Sequence, residues 1–102
     1  MPQRHILATV GDTPPGSAKA FTVGDHRIAL FNVGGKFYAI DDVCTHDGAS
    51  LAEGALEGTT IVCPWHSAEF DVRTGEVLCP PATENARSYP VFVNGDSVEV
   101  EV

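Results

Sequence analysis

The residues able to do chemistry fall in two short segments, Cys44-Thr45-His46 and Cys63-Pro64-Trp65-His66, separated by the sixteen residues 47–62. Each segment offers one thiol and one imidazole, so together they present four potential metal ligands. A structural zinc site more often pairs like ligands along each arm, Cys with Cys and His with His. Mixed arms suit two metal atoms instead, one held by thiolates and the other by imidazoles. A zinc site stabilising a small protein-binding module remains the competing reading. Trp65 lies between two of these ligands and is expected to shield the site rather than face a partner. Asp47 and Glu69 flank the segments and could shape the local field or be ordinary solvated charges. Gly48, Gly54 and Gly75 read as backbone devices for turns.

Elsewhere the reactive types are sparse. His5 and His26 lie in or beside expected strands and read as surface imidazoles. Cys79, before Pro80-Pro81, reads as a small buried hydrophobe. Three cysteines is an odd count, and a reducing cytosol would keep them as thiols, so a disulfide framework is not expected.

The elements that must position these loops are strands. Residues 27–33 and 36–40 flank Gly34-Gly35, a two-residue hairpin signal. Residues 97–102 alternate polar and apolar at period two, as a half-buried strand does. Residues 89–93 precede them across the turn Asn94-Gly95-Asp96. Shorter candidates lie at 5–10, 18–23, 60–62, 69–72 and 76–78, and no segment carries a convincing helix pattern. Short strands with frequent turns predict an all-β sandwich or small barrel. Between 41 and 81 the strands shorten, and all three cysteines fall there.

At 102 residues the chain is expected to form one domain. A net charge of −8, from 14 acidic against 6 basic residues, argues against nucleic acid and anionic membranes as partners. It suits docking on a basic patch of another protein. No run approaches the length of a membrane span, and the N-terminus lacks the apolar core of a signal peptide. A cytoplasmic monomer is the expectation.

With their flanks, Cys44-Thr45-His46 and Cys63-Pro64-Trp65-His66 resemble the two cluster-binding loops of Rieske proteins. Leu51-Ala52-Glu53-Gly54 is similar to the segment after the first loop. Glu69-Phe70-Asp71 through Thr74-Gly75 is similar to the strand and turn after the second. Pro80-Pro81-Ala82 resembles the proline loop that closes over the cluster, and Pro14-Pro15-Gly16 and Gly34-Gly35 also fit. The resemblance covers nearly the whole chain. It implies a single Rieske domain over 1–102, a β-sandwich base with a smaller three-stranded cluster-binding subdomain inserted at about 42–82. It also implies a [2Fe–2S] cluster, with Cys44 and Cys63 on one iron and His46 and His66 on the other.

Two thiolates bring the +2 charge of an oxidised two-iron, two-sulfide core to zero, where four would bring it to −2. An added electron then meets less repulsion and should localise on the His-ligated iron, which is why such potentials exceed those of plant-type ferredoxins. High-potential members of respiratory chains carry a Ser two residues and a Tyr four residues after the second His, whose hydroxyls donate to the cluster. Here those positions are Ala68 and Phe70, and Ser67 is one residue out of register. The extra cysteines that bridge the two loops in those relatives are replaced by Ala49 and Trp65. The expected potential therefore lies at the low end of the family's range, on the order of −150 to −50 mV.

The resemblance is closest to stand-alone ferredoxins that pass electrons from a flavoprotein ferredoxin reductase to a terminal oxygenase. It implies a carrier rather than the oxygenase, because oxygenases of the family follow a similar domain with a long catalytic domain that holds a mononuclear iron by two His and a carboxylate, and the two His left here, His5 and His26, lie in or beside expected strands far from the loops. The alternative within the family is a Rieske-like accessory subunit of a nitrite-reducing enzyme.

Overall fold

The computed structural model describes residues 3–44, 49–65, 67–80 and 84–102. The architecture follows from β3 (His26–Val33), whose run Ile28-Ala29-Leu30-Phe31 is fully buried. A strand without a polar face must be covered on both sides. Ile28 and Leu30 pack with Ala8, Ala39, Tyr89, Val98 and Val100 in one core. Ala29 and Phe31, on the opposite face, pack with Ile40, Leu51, Ile61, Phe70 and Val72 in a second.

Three antiparallel sheets carry these cores. The middle layer is β2 (Ala18–Val23), β3, β4 (Lys36–Asp41) and β9 (Ser88–Tyr89), in that order. On one side lies a sheet of order β1 (Arg4–Thr9), β11 (Ser97–Glu101) and β10 (Val91–Asn94). On the other lies an inserted sheet of order β5 (Ala55–Glu57), β6 (Thr60–Val62), β7 (Glu69–Asp71) and β8 (Val77–Cys79). Among the described residues the one helical segment is a 3₁₀ turn at Leu51–Glu53. The expected all-β fold, with a sandwich base and a small subdomain inserted in it, is what the structure shows.

Two details differ from expectation. The inserted sheet has four strands rather than three, because Ala55–Glu57 pairs with β6 in the register Leu56↔Ile61. Residues 89–93 are not one strand. Pro90 has no N–H for a ladder, and the chain changes sheets there: Tyr89 pairs with Ala39 of β4, while Val91 pairs with Val100 of β11.

The β3–β4 hairpin closes as expected at Gly34-Gly35, whose φ angles of +60° and +95° suit glycine. Asn32, buried behind it, accepts from the Gly35 N–H at 2.8 Å and donates to the Thr13 carbonyl at 2.8 Å. Gly54 meets a different constraint. A Cβ there would stand 2.0 Å from the carbonyl oxygen of Val62, the residue before Cys63. Replacing Gly54 by Ala should therefore cost about 3 kcal/mol in denaturant unfolding, as overpacking against fixed backbone does. Gly58→Ala, at φ +61° with open space around it, should cost only about 1 kcal/mol. Equal losses would overturn the close-approach argument.

At the middle layer's edge, Tyr89 donates its hydroxyl hydrogen to Asp41. The Nδ1 of His26 lies 3.3 Å from the same hydroxyl. Burial, and then the bond to Asp41 and its charge, push the Tyr89 phenol up to about 12 from the ordinary 10.0. The protonated phenol is the form the fold favours, so its contribution is intact below about pH 10 and is lost as pH rises toward 12. An ultraviolet difference titration should show one of the two tyrosines ionising near pH 12. That late phase should vanish in Tyr89→Phe; both tyrosines titrating together in the parent protein would contradict the assignment.

Candidate metal centre

Two loops of matching build carry the cysteines. The first hangs from an isolated antiparallel bridge between Val43 and Ser50. The second hangs from the Val62↔Glu69 pair at the end of β6 and β7. Within each, the cysteine N–H donates to the carbonyl five residues on: Cys44 to Ala49 at 2.8 Å, and Cys63 to Ala68 at 2.7 Å. The second loop tightens further through Ser67 N–H to the Cys63 carbonyl at 3.2 Å. Ser67 sits at φ +62°, a backbone conformation that glycine adopts more readily. Counted from the cysteine, the same position in the first loop is Gly48.

Cys44 and Cys63 are each 2% exposed and belong to one apolar cluster. Ala49, Leu51, Ala68, Phe70 and Ala86 are buried in that cluster with them. Two thiols brought to one dry wall on opposed loops fit the thiolate half of a two-iron centre. His46 and His66 lie outside the described residues, as do Thr45, Asp47, Gly48, Pro81 and Ala82. Among the described residues, no group of three or more His, Cys, Asp or Glu side chains is placed to hold a metal.

The structure also places the neighbours singled out in the sequence. Ala68 and Phe70 are fully buried beside the cysteines, so the positions that would carry donor hydroxyls present methyl and phenyl groups. Ser67 is exposed. Trp65 is 64% exposed, next to an exposed Pro64, so much of it is open to contact from outside. Cys79 differs from expectation, being half-buried in β8 opposite Glu69 rather than in the core. His5 and His26 lie in the base, half-buried along a cleft shared with Gln3 and Asp25.

Beyond β7, charged groups close the turn that leads to β8. Asp71 accepts from Arg73 through Nε at 3.1 Å, Nη2 at 2.9 Å and the backbone N–H at 2.9 Å. That guanidinium holds the Asp71 carboxyl below its usual range. Gly75, at φ +80°, brings its backbone against Ala86, whose N–H donates to the Gly75 carbonyl at 2.7 Å. A Cβ on Gly75 would stand 2.0 Å from the Ala86 oxygen.

Comparison with known proteins agrees with this geometry. The chain is 47% identical over 100 residues to the 3-phenylpropionate/cinnamic acid dioxygenase ferredoxin subunit of Shigella boydii serotype 4 (strain Sb227), covering 97% of this chain and 93% of that protein. Its backbone superposes on the ferredoxin of carbazole 1,9a-dioxygenase from Nocardioides aromaticivorans IC177 with a TM-score of 0.92. Identity there is 33%, with 96% of both chains covered. A solved complex of reduced oxygenase and oxidized ferredoxin in carbazole 1,9a-dioxygenase contains a chain that matches with a TM-score of 0.89 and 37% identity, over 95% of this chain and 91% of that one. Residues 3–90 match the model of the Rieske [2Fe–2S] domain. With two buried cysteines on matched loops and relatives aligned along almost its whole length, the chain belongs to the Rieske [2Fe–2S] domain family.

Proposed function

We propose that the chain is a single-domain, monomeric carrier in the cytoplasm that accepts one electron from a flavoprotein reductase and delivers it to a terminal oxygenase of a ring-hydroxylating system. The observation that carries this reading is the burial of Cys44 and Cys63 on matched loops, in a chain that aligns end to end with dioxygenase ferredoxin subunits. Cys44 and Cys63 hold the cluster through thiolates, and His46 and His66 through imidazoles. The cluster, when bound, supplies a couple that takes up and releases a single electron. The chain's own residues then do three things. Ala68, Phe70 and Leu51 keep water from the thiolate side. The absence of hydroxyls at 68 and 70 leaves the added electron less stabilised than in high-potential relatives. The outer loop tips present the surface that meets a partner.

That surface is acidic with an aromatic at its tip. Residues 42–82 hold seven acidic side chains against one arginine; Asp42 and Asp71 are buried and paired with Arg27 and Arg73, which leaves Glu53, Glu57 and Glu76 exposed and Glu69 half-buried among the described residues. A basic rim on a partner would be drawn to it. Trp65, large and exposed, is the kind of side chain that anchors such contacts.

The experiment that tests the function is electron paramagnetic resonance of the dithionite-reduced protein, with iron and zinc assayed on the same sample. A mixed-valent [2Fe–2S] signal with nitrogen coupling and about two irons per chain is expected. The potential should lie on the order of −150 to −50 mV. A silent spectrum with zinc bound would sink the electron-transfer reading. Trp65→Ala should raise the KM for reductase or oxygenase about tenfold, as loss of an interface aromatic does, and leave the potential in place. A shifted potential with an unchanged KM would return Trp65 to a shielding role.

A further inference from the structure

The two cluster loops are anchored by different means. The second continues directly from the β6–β7 ladder, so the sheet itself fixes both of its ends. The first leaves β4 after Asp41 and returns at Ser50 outside any strand, with a single bridge, Val43↔Ser50, joining its sides. One residue supplies what the ladder does not. Asp42 is 0% exposed. Its Oδ1 accepts from the Ser50 hydroxyl at 2.9 Å and from the Ala52 N–H at 2.9 Å. Its Oδ2 accepts from the same hydroxyl at 2.8 Å and from Arg27 Nε at 2.8 Å. Its backbone is held as well: its N–H donates to the Arg27 carbonyl at 2.9 Å, and its own carbonyl accepts from Leu51 N–H at 2.6 Å.

We infer that Asp42 is the positioning residue for the Cys44–His46 arm. Its carboxylate ties the outgoing and returning ends of that loop to each other and to β3. The inference rests on the proposed function, in which this arm supplies one thiolate and one imidazole. Cys44 stands two residues after Asp42, and Ala49, which receives the Cys44 N–H, stands one before Ser50. A buried carboxylate charge is tolerated here because a guanidinium and two further donors meet it. Without it, the Ser50 hydroxyl and the Ala52 N–H lose their acceptor, and the loop keeps only its main-chain bonds. The attachment of Cys44 to the rest of the fold would then be looser.

The test compares metal release to a chelator, the resonance line widths of the reduced protein and far-ultraviolet circular dichroism in four proteins: the parent, Asp42→Ala, Asp42→Asn and Ser50→Ala. Asp42→Ala should release metal about tenfold faster, as happens when groups behind a metal ligand are removed, and should broaden the resonance lines while the β-sheet signal is kept. Asp42→Asn retains one acceptor oxygen and should recover part of both losses. Ser50→Ala removes only the hydroxyl and should fall between the parent and Asp42→Ala. Should Asp42→Ala not fold, Asp42→Asn and Ser50→Ala decide the matter. Parental release rates and line widths in the folded variants would overturn the inference even if thermal stability fell. A mistaken reading of the centre shows separately, as a parent protein without the mixed-valent signal. Release is then followed on whatever metal the parent holds, and the comparison still decides the role of Asp42.

Discussion

The rest of this molecule depends on the double burial of β3. Ile28 and Leu30 belong to the core beneath the outer sheet, and Ala29 and Phe31 belong to the core that contains Cys44 and Cys63. The middle sheet is therefore a shared wall. The cluster-binding insert is not an appendage on a linker, because its apolar side continues into the back of the sandwich. A substitution at Phe31 would be felt at the cysteines through one layer of packed side chains, since protein interiors are packed too densely to absorb a lost or added group locally. The close backbone contacts at Gly54 and Gly75 serve the same end. Each brings a segment of the insert against a carbonyl at a distance that a Cβ forbids.

That packing also sets the electrostatics of the thiolate side. A thiolate in an apolar wall is disfavoured unless metal or hydrogen-bond donors compensate it. Here the loops bring the cysteines to the boundary of the core, while Ala68 and Phe70 line it without offering a hydroxyl. An electron added to such a site has fewer dipoles to meet it. The same two positions serve the hydrophobic core well, since both are fully buried. On the proposed function, packing and redox tuning would rest on one pair of residues, and a change made for either purpose would alter the other.

Much of this was legible in the sequence. The buried run of β3, the Gly34-Gly35 hairpin and the alternation of β11 each carry a local signal, and the structure follows them. The four candidate ligands stood out because mixed Cys/His arms are uncommon by composition alone, and the structure brings the two cysteines together. What escaped notice depends on tertiary context. Residues 55–57 are too short to show a period, and become β5 only because β6 offers an edge. The break at Pro90 was hidden by apolar residues on both sides, although proline's missing N–H was the available clue. The exposure of Trp65 was not legible, because adjacency in sequence to two candidate ligands says nothing about which way the side chain turns. Asp42 carried no signal at all: beside Asp41 it looks like one of two solvated charges, and only burial separates them. Asp41 faces Tyr89, whereas Asp42 is enclosed with Arg27 and Ser50.

The distribution of charge gives a reason for the shape of the tip. A carrier that serves two partners, as proposed for this chain, must meet each quickly and leave, so its contact area has to stay small. Acidic side chains concentrated in 42–82 would speed encounter with a basic surface without holding it long, because rim charges act mainly on association. Trp65 then supplies area where little is available, as a rigid ring with few torsions to freeze. Its exposure in the free protein costs solvation that docking would recover. The interior of the insert is apolar, Trp65 is exposed, and the surrounding segment is acidic. On the proposed function, fixed metal ligands and a brief encounter would make different demands on the same forty residues, in which the cysteines are buried and the tryptophan is exposed.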